Sequence, residues 1–401
     1  MFRSSRRRPV WRLGLVAVLA GGALAACGGG DGGDSSASRT RLSPMAALGE
    51  QIFRDASLSA SGRMSCATCH VPATAHATND PDVVVPSGGA GLDVPGTRNA
   101  PSLRYLALNP AFFFDGEGTP TGGFDRDGRA ASLQAQAERP LLAPHEMANA
   151  SVEEMVGRLA QASYVQTFKQ LFGADILSRP QDAFARVTLA LQQYQREDPD
   201  FAPFDSKYDA FLRGQVTLSE RELRGLALFN DPTKGNCAGC HPSGRGSDGS
   251  LPLFTDFSYD NLGVPRNARI PANADPSYYD LGLCGPDRTD LSGRSDLCGA
   301  FKVPTLRNVA VTAPYFHNGR FRTLREALEF YVRRDTQPEA FYPVAGGSVQ
   351  KFDDLPAAYH RNVNTTEVPY DRQRGQAPRL DDAEIDLVLE FLHTLTDGYR
   401  P

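Results

Sequence analysis

The pattern Cys-x-x-Cys-His is written twice in this chain, in MSCATCH (residues 64–70) and in NCAGCH (residues 236–241). The surroundings of the two copies are related. LGEQIFRD (48–55) precedes the first and RGLALFND (224–231) precedes the second, and both read Gly-x-x-x-Phe-x-Asp. Downstream, APSLRYLALNPAFFFDG (100–116) matches VPTLRNVAVTAPYFHNG (303–319) without a gap. Each half then offers a short helix, from near Ser132 in SLQAQAERP and from Thr323 in TLREALEFY. A repeat of this length is far longer than a solenoid unit. It predicts two homologous domains, residues 45–204 and 205–401.

The elements read as mainly α. SVEEMVGRLAQASYVQTFKQLF (151–172) has apolar residues at helical spacing, with Ser151 as N-cap and Glu154 completing a capping box. DDAEIDLVLEFLHTL (381–395) repeats the device with Asp381 and Glu384. Strand signals are few and short, and 38 Gly with 29 Pro among 401 residues favour loops and short helices. A net charge of −5 gives no basic footprint for nucleic acid.

The N-terminus reads as a targeting segment. Arg3, Arg6, Arg7 and Arg8 precede LGLVAVLAGGALAA, an apolar run too short to span a bilayer comfortably. It ends in Leu24-Ala25-Ala26-Cys27, which resembles a bacterial lipobox, so residues 1–27 are expected to be a lipoprotein signal with Cys27 lipidated. Residues 28–44 follow as a flexible tether. The expected location is the periplasm of a Gram-negative bacterium, with the lipid anchor as the membrane attachment. Of seven cysteines, Cys27 goes to lipid and four to the repeated motif. Cys284 and Cys298 remain, and in an oxidising compartment a disulfide between them is expected.

Cys-x-x-Cys-His is the attachment signature of covalent haem c. Two thiols one helical turn apart can each join a vinyl group of the porphyrin, and the adjacent His lies under the iron. The expected cofactors are two covalent haem c groups, on Cys66, Cys69 and His70 and on Cys237, Cys240 and His241. A zinc site would want four clustered ligands, and a redox Cys-x-x-Cys needs no following His. The five methionines are Met1, Met45, Met64, Met147 and Met155, so no Met of the second half can ligate the second iron. His317, His360, His393 or a Tyr would do so, or the position is open.

AFKVPTLRNVAVTAPYFHNGRFRTLREALEFY, DGRAASLQAQAERP and the two haem motifs together resemble the bacterial di-haem cytochrome c peroxidase family, including its MauG-type branch. The resemblance spans nearly all of the chain after the tether. It implies two cytochrome c-like domains, a peroxide-reacting haem in the first and an electron-transfer haem in the second. In the family the second haem's far ligand, Met in conventional peroxidases and Tyr in MauG-type enzymes, sits on the helix beginning TLREAL. The matching residue is Tyr331. In the internal repeat Tyr331 stands opposite Pro140, which cannot ligate iron, so the first haem is expected to be open. The resemblance further implies Glu146 as acid–base group with Gln136 beside it. It also implies a calcium ion held by Asn99 and, through backbone carbonyls, by Thr312 and Pro314.

Two departures bear on mechanism. The loop PSGGAGLDVPGT (86–97), where conventional members carry a removable distal His, has none; His76 is read as a surface or loop residue. The family's Trp-Asp-Gly-Arg reads Arg126-Asp127-Gly128-Arg129, and the single Trp is Trp11 in the signal, which leaves Phe124 or a Tyr to fill the space between the haems. The expected function is reduction of hydrogen peroxide with electrons from a small periplasmic cytochrome or copper protein. The alternatives are MauG-type oxidation of a partner protein's side chains, or a non-enzymatic electron carrier. The sequence leaves monomer and homodimer both open.

Overall fold

The computed structural model describes residues 42–78 and 80–401. The expected signal, Cys27 and the tether up to residue 41 lie outside the described residues. The α-helices are α1 (Pro44–Arg54), α2 (Cys66–Cys69), α3 (Leu133–Leu142), α4 (Val152–Leu159), α5 (Val165–Phe172), α6 (Pro180–Glu197), α7 (Lys207–Leu212), α8 (Glu220–Asn230), α9 (Leu324–Arg333) and α10 (Asp382–His393). The strands among the described residues pair only as two-residue antiparallel ribbons, so the mainly helical expectation holds.

Two separate hydrophobic cores underlie the repeat. One is built from residues between Leu48 and Phe201, with Phe53, Phe168 and Tyr194 at its centre. The other draws on residues between Tyr208 and Leu395, around Phe229, Phe254 and Phe391. The same helix crossing organises both. In α1, a side chain at Gly49 would collide with the Ala190 carbonyl and the Cβ of Tyr194 on α6; in α8, one at Gly225 would collide with the Leu387 carbonyl and the Cβ of Phe391 on α10. These matched glycines are required because backbone meets backbone there, a closeness no larger residue permits.

Local signals explain most helix starts. Ser132 accepts from the Ala135 amide to open α3, and Thr323 forms a capping box with Glu326 to open α9. Asp381 and Glu384 form the expected box on α10. The stretch 151–172 is not one helix: it breaks after Leu159 and restarts at Val165. The break turns Tyr164 inward, where its hydroxyl donates to Asp55 at 2.7 Å, and lets Phe168 reach the same core as Met155. Ser151 caps α4 as expected, but Glu154 accepts from the Ala150 amide rather than closing on Ser151.

The internal repeat is better in the structure than in the sequence, and its register differs. The gapless match fails after residue 108, because the hairpin Phe113–Phe114 with Pro120–Thr121 is inserted in the first half. Beyond it, Phe124-Asp125-Arg126-Asp127-Gly128-Arg129 stands opposite Tyr315-Phe316-His317-Asn318-Gly319-Arg320. Both segments are closed by one antiparallel bridge, Phe124 to Ala130 and Tyr315 to Phe321. Asp125 and Phe316 both take left-handed backbone, as do Gly128 and Gly319. The halves then exchange equivalent hydrogen bonds: the Asn99 amide donates to the His317 carbonyl at 2.8 Å, and the Lys302 amide donates to the Arg126 carbonyl at 2.8 Å. Ion pairs reinforce the joint, notably Arg98 with Asp280 (2.6 Å) and Arg104 with Asp397 (3.1 Å).

Gly225→Ala should lower stability by about 1–3 kcal/mol, the usual range for overpacking. Chemical denaturation of the haem-loaded protein checks it; an unchanged midpoint would mean that α8 and α10 separate freely.

Candidate functional site

Each Cys-x-x-Cys-His motif lies in a cavity wall. The first sits on α2, one short turn capped by Ser65 and Thr68; the second forms the 3₁₀ turn Cys237–Gly239. Burial raises the thiol pKa values of Cys66 to about 12, Cys69 to about 11, and Cys237 and Cys240 to about 12. Redox-active Cys-x-x-Cys pairs show the opposite shift. Nor do the motifs gather further His, Cys, Asp or Glu into a metal-binding group among the described residues.

The two histidines are aimed by the same device. His70 places Nδ1 3.1 Å from the carbonyls of both His76 and Pro101. His241 places Nδ1 2.7 Å from the Phe254 carbonyl. A carbonyl acceptor fixes the proton on Nδ1 and leaves Nε2 as the free ligand atom, the arrangement expected of a histidine that binds metal. The carbonyl-bearing loops are themselves equivalent: Ser102 donates to the Ala75 carbonyl (2.5 Å) and Thr305 to the Leu253 carbonyl (2.6 Å). His76 is therefore neither a surface residue nor a free ligand. It is 1% exposed, stacks on Phe201 and bonds Asp200 through Nε2 at 2.9 Å. Phe201 and Asp200 lie more than 120 residues away in the chain, so no local pattern points to them.

One cavity gathers His70, Cys66 and Cys69 with Gln136, Pro140 and Glu146. Pro140 is the eighth residue of α3 and Tyr331 the eighth of α9, as the repeat predicts. Glu146 Oε1 lies 2.9 Å from Arg139 and 3.5 Å from His145 Nε2. Burial pushes the Glu146 carboxyl up, but the hydrogen bond from His145 and the charge of Arg139 outweigh it and hold the group below its ordinary range. His145, which the sequence reading did not single out, also lines this cavity. The loop 86–97 packs behind it: the Gly89 amide donates to the Glu146 carbonyl at 2.9 Å. A lone His after Pro144 in a loop carries no periodic signal, which is why the sequence hid it.

A second, larger and mainly apolar cavity gathers His241, Cys237 and Cys240 with Tyr331, Leu324, Ala327 and Leu328. Tyr331 lies against Phe316 and Tyr370. Its hydroxyl finds no hydrogen-bond partner among the described residues, and burial raises its pKa above that of a free phenol. Of the histidines weighed as ligands, His393 is exposed at the end of α10 and His360 bonds the Leu355 carbonyl. His317 lines the cavity but stacks flat on Phe301, ring centroids 3.7 Å apart.

Both cavities share one wall, which includes Asn99, Asp125, Arg126 and Gln136. Arg126 thus stands between them, where the resemblance places a Trp. Among the described residues its side chain makes one hydrogen bond, to the Asn99 carbonyl at 3.1 Å, and burial lowers its pKa to about 10. Phe124 does not fill this space; it packs with Ala130 and Leu133 in a small separate core. Asn99 is 4% exposed, with Nδ2 2.5 Å from the Pro314 carbonyl and Oδ1 without any partner. Thr312 lines the same cavity. Cys284 and Cys298 form the expected disulfide.

These features match those of known proteins. The profile of the family described as di-haem cytochrome c peroxidase matches residues 43–217. The methylamine utilization protein MauG of Paracoccus denitrificans is 38% identical over 382 residues, 92% of this chain and 93% of that protein. The chain belongs to the di-haem cytochrome c peroxidase family. Cytochrome c551 peroxidase of Nitrosomonas europaea is 34% identical over 291 residues, 71% of this chain and 72% of that protein. The crystal structure of the dihaem peroxidase BthA from Burkholderia thailandensis superposes with a TM-score of 0.82 at 38% identity, covering 92% of this chain and 90% of that one. Membership makes the chain an oxidoreductase of a family whose name implies two haems, and two Cys-x-x-Cys-His cavities with carbonyl-anchored histidines fit such groups.

Cys66→Ala or Cys237→Ala should each remove one covalent haem, read by haem staining of the denatured band and by the pyridine haemochrome yield. Full haem content in both variants would refute the attachment sites.

Proposed function

We propose that the chain reduces hydrogen peroxide at the cavity of residues 45–204 and passes electrons to it from the cavity of residues 205–401. The observation that carries this reading is the convergence of His70, Pro140, Gln136 and Glu146 on one cavity. When bound, haem iron supplies a redox-active Lewis acid at which an O–O bond can be split. His70 offers Nε2 to the iron because the Pro101 and His76 carbonyls hold Nδ1. Pro140 presents no donor atom, so peroxide has room to enter. Glu146, held as a carboxylate, accepts a proton from one peroxide oxygen and returns it to the other. Gln136 orients the bound oxygens by hydrogen bonding, and Arg139 keeps Glu146 in place.

Tyr331 and His241, which line one cavity, would both hold the iron of the second haem, since the Tyr331 hydroxyl has no hydrogen-bond partner among the described residues. A phenolate is an anionic oxygen donor and stabilises ferric over ferrous iron. The same residue favours a second reading, MauG-type oxidation of a partner protein; Arg126 in place of Trp opposes it, because a guanidinium is not an electron relay. Both readings need an electron partner, for which a small periplasmic cytochrome or copper protein is the natural class. An attached lipid at Cys27 would hold the enzyme at a membrane surface.

A calcium ion is read at Asn99. Turning the side-chain amide over exchanges Nδ2 for Oδ1, which then faces the Pro314 carbonyl. Two oxygens directed at one point, with Thr312 nearby, suit a hard cation.

The ferric enzyme should react with peroxide without prior reduction. Glu146→Gln should slow that reaction by about 10²- to 10⁴-fold with haem content intact, the usual worth of an acid–base group. Stopped-flow mixing measures both. Low-spin ferric spectra at both haems, with no reaction until one electron is added, would refute the open site and direct attention to His145 rather than His76.

Tyr331→Phe should raise the reduction potential of one haem and leave the other unchanged. Spectroelectrochemical titration checks this; unchanged potentials at both would return Tyr331 to an ordinary packing role.

A further inference from the structure

The exchanged hydrogen bonds between the halves define a local two-fold relation, and it extends to side chains. Asn99 and Lys302 are equivalent: each amide donates 2.8 Å across the joint, to the equivalent carbonyls of His317 and Arg126. Each side chain then reaches an equivalent acceptor. Asn99 Nδ2 lies 2.5 Å from the Pro314 carbonyl, and Lys302 Nζ lies 3.0 Å from the Gly123 carbonyl. Pro314 and Gly123 occupy matching places, each immediately before the bridged residue, Tyr315 or Phe124. Lys302 makes no ion pair among the described residues. The nearby carboxylates are engaged elsewhere, Asp127 with Arg98 and Arg129, and Asp125 with Arg129. A half-buried ammonium with only a carbonyl acceptor is placed as a metal ion would be among backbone oxygens.

We propose that Lys302 is a built-in cation, its ammonium group filling on one side of the joint the position that calcium fills on the other. This rests on the calcium reading above. The duplicated fold thus has two cation positions at its joint. At one an amide side chain can turn an oxygen toward a divalent ion that can be exchanged; at the other a lysine supplies the positive charge from the chain itself. The difference follows from side-chain charge. Asn is neutral and can offer an oxygen to an ion, whereas Lys brings its own charge and needs no ion.

The test uses haem-loaded protein dialysed against calcium, with bound calcium counted by inductively coupled plasma mass spectrometry. Lys302→Asn is expected to bind one more calcium ion per chain than wild type. Asn99→Lys is expected to bind none, and to unfold at the temperature of calcium-loaded wild type whether or not chelator is present. If wild type binds calcium and Lys302→Asn gains no further ion, the inference about Lys302 fails and the calcium reading stands. If wild type binds none, both fail. Should Lys302→Asn not accumulate, Asn99→Lys decides: unfolding at the lower temperature of chelated wild type overturns the inference, and unfolding at the calcium-loaded temperature supports it.

Discussion

Two imidazole rings have to be held still for this fold to serve its chemistry, and backbone carbonyls do it. The Pro101 and His76 carbonyls on one side, and the Phe254 carbonyl on the other, set which nitrogen of each histidine faces its cavity. Those carbonyls are positioned by the loops 100–108 and 303–311, which are pinned by Ser102 and Thr305 and continue into the joint between the halves. Orientation of the histidines and docking of the halves are therefore one structural problem. A change in the joint would therefore reach Nδ1 of both histidines.

The buried pair Arg307 and Asp209 shows how the joint is maintained. Arg307 bonds both carboxylate oxygens at 2.8 and 2.9 Å, with exposures of 1% and 0%. The same guanidinium covers the rings of Tyr105 and Phe204 at 4.8 and 4.5 Å. Breaking such a pair by removing one partner leaves an uncompensated charge, a cost of about 3–5 kcal/mol. Arg104, its counterpart in the first half, instead bridges Asp200 and Asp397 near the surface. The duplication has kept the cation in both halves and given it different partners.

Much of this was legible in the sequence. The repeated motifs, the match of Gly49 with Gly225, the starts of α3 and α9, the cap of α10 and the pairing of Pro140 with Tyr331 all follow from local pattern, and each has its counterpart in the structure. What escaped was non-local. PAFFFDG and APYFHNG look alike, so the text aligned them and hid an inserted hairpin; only the bridges at Phe124 and Tyr315 reveal the register. That register pairs Arg126 with His317, whereas Lys302 is the counterpart of Asn99 in the gapless match of 100–108 with 303–311, one residue upstream of it. His145 escaped for a similar reason, since its place is set by the loop 86–97 folding behind it.

The inserted hairpin also has a mechanical meaning. Arg288 lies 3.8 Å over Phe112 and Arg294 5.3 Å over Phe114, and both arginines belong to the loop closed by the Cys284–Cys298 disulfide. Arg288 further donates to the Asp127 carbonyl at 2.9 Å. An excursion of the first half is thus clasped by an excursion of the second. Each cation–π contact contributes about 0.5–2 kcal/mol, and both would have to open before the halves could hinge on that edge. The clasp thus guards the spacing of the two cavities, and its own loop reaches the wall of the first through Asp287.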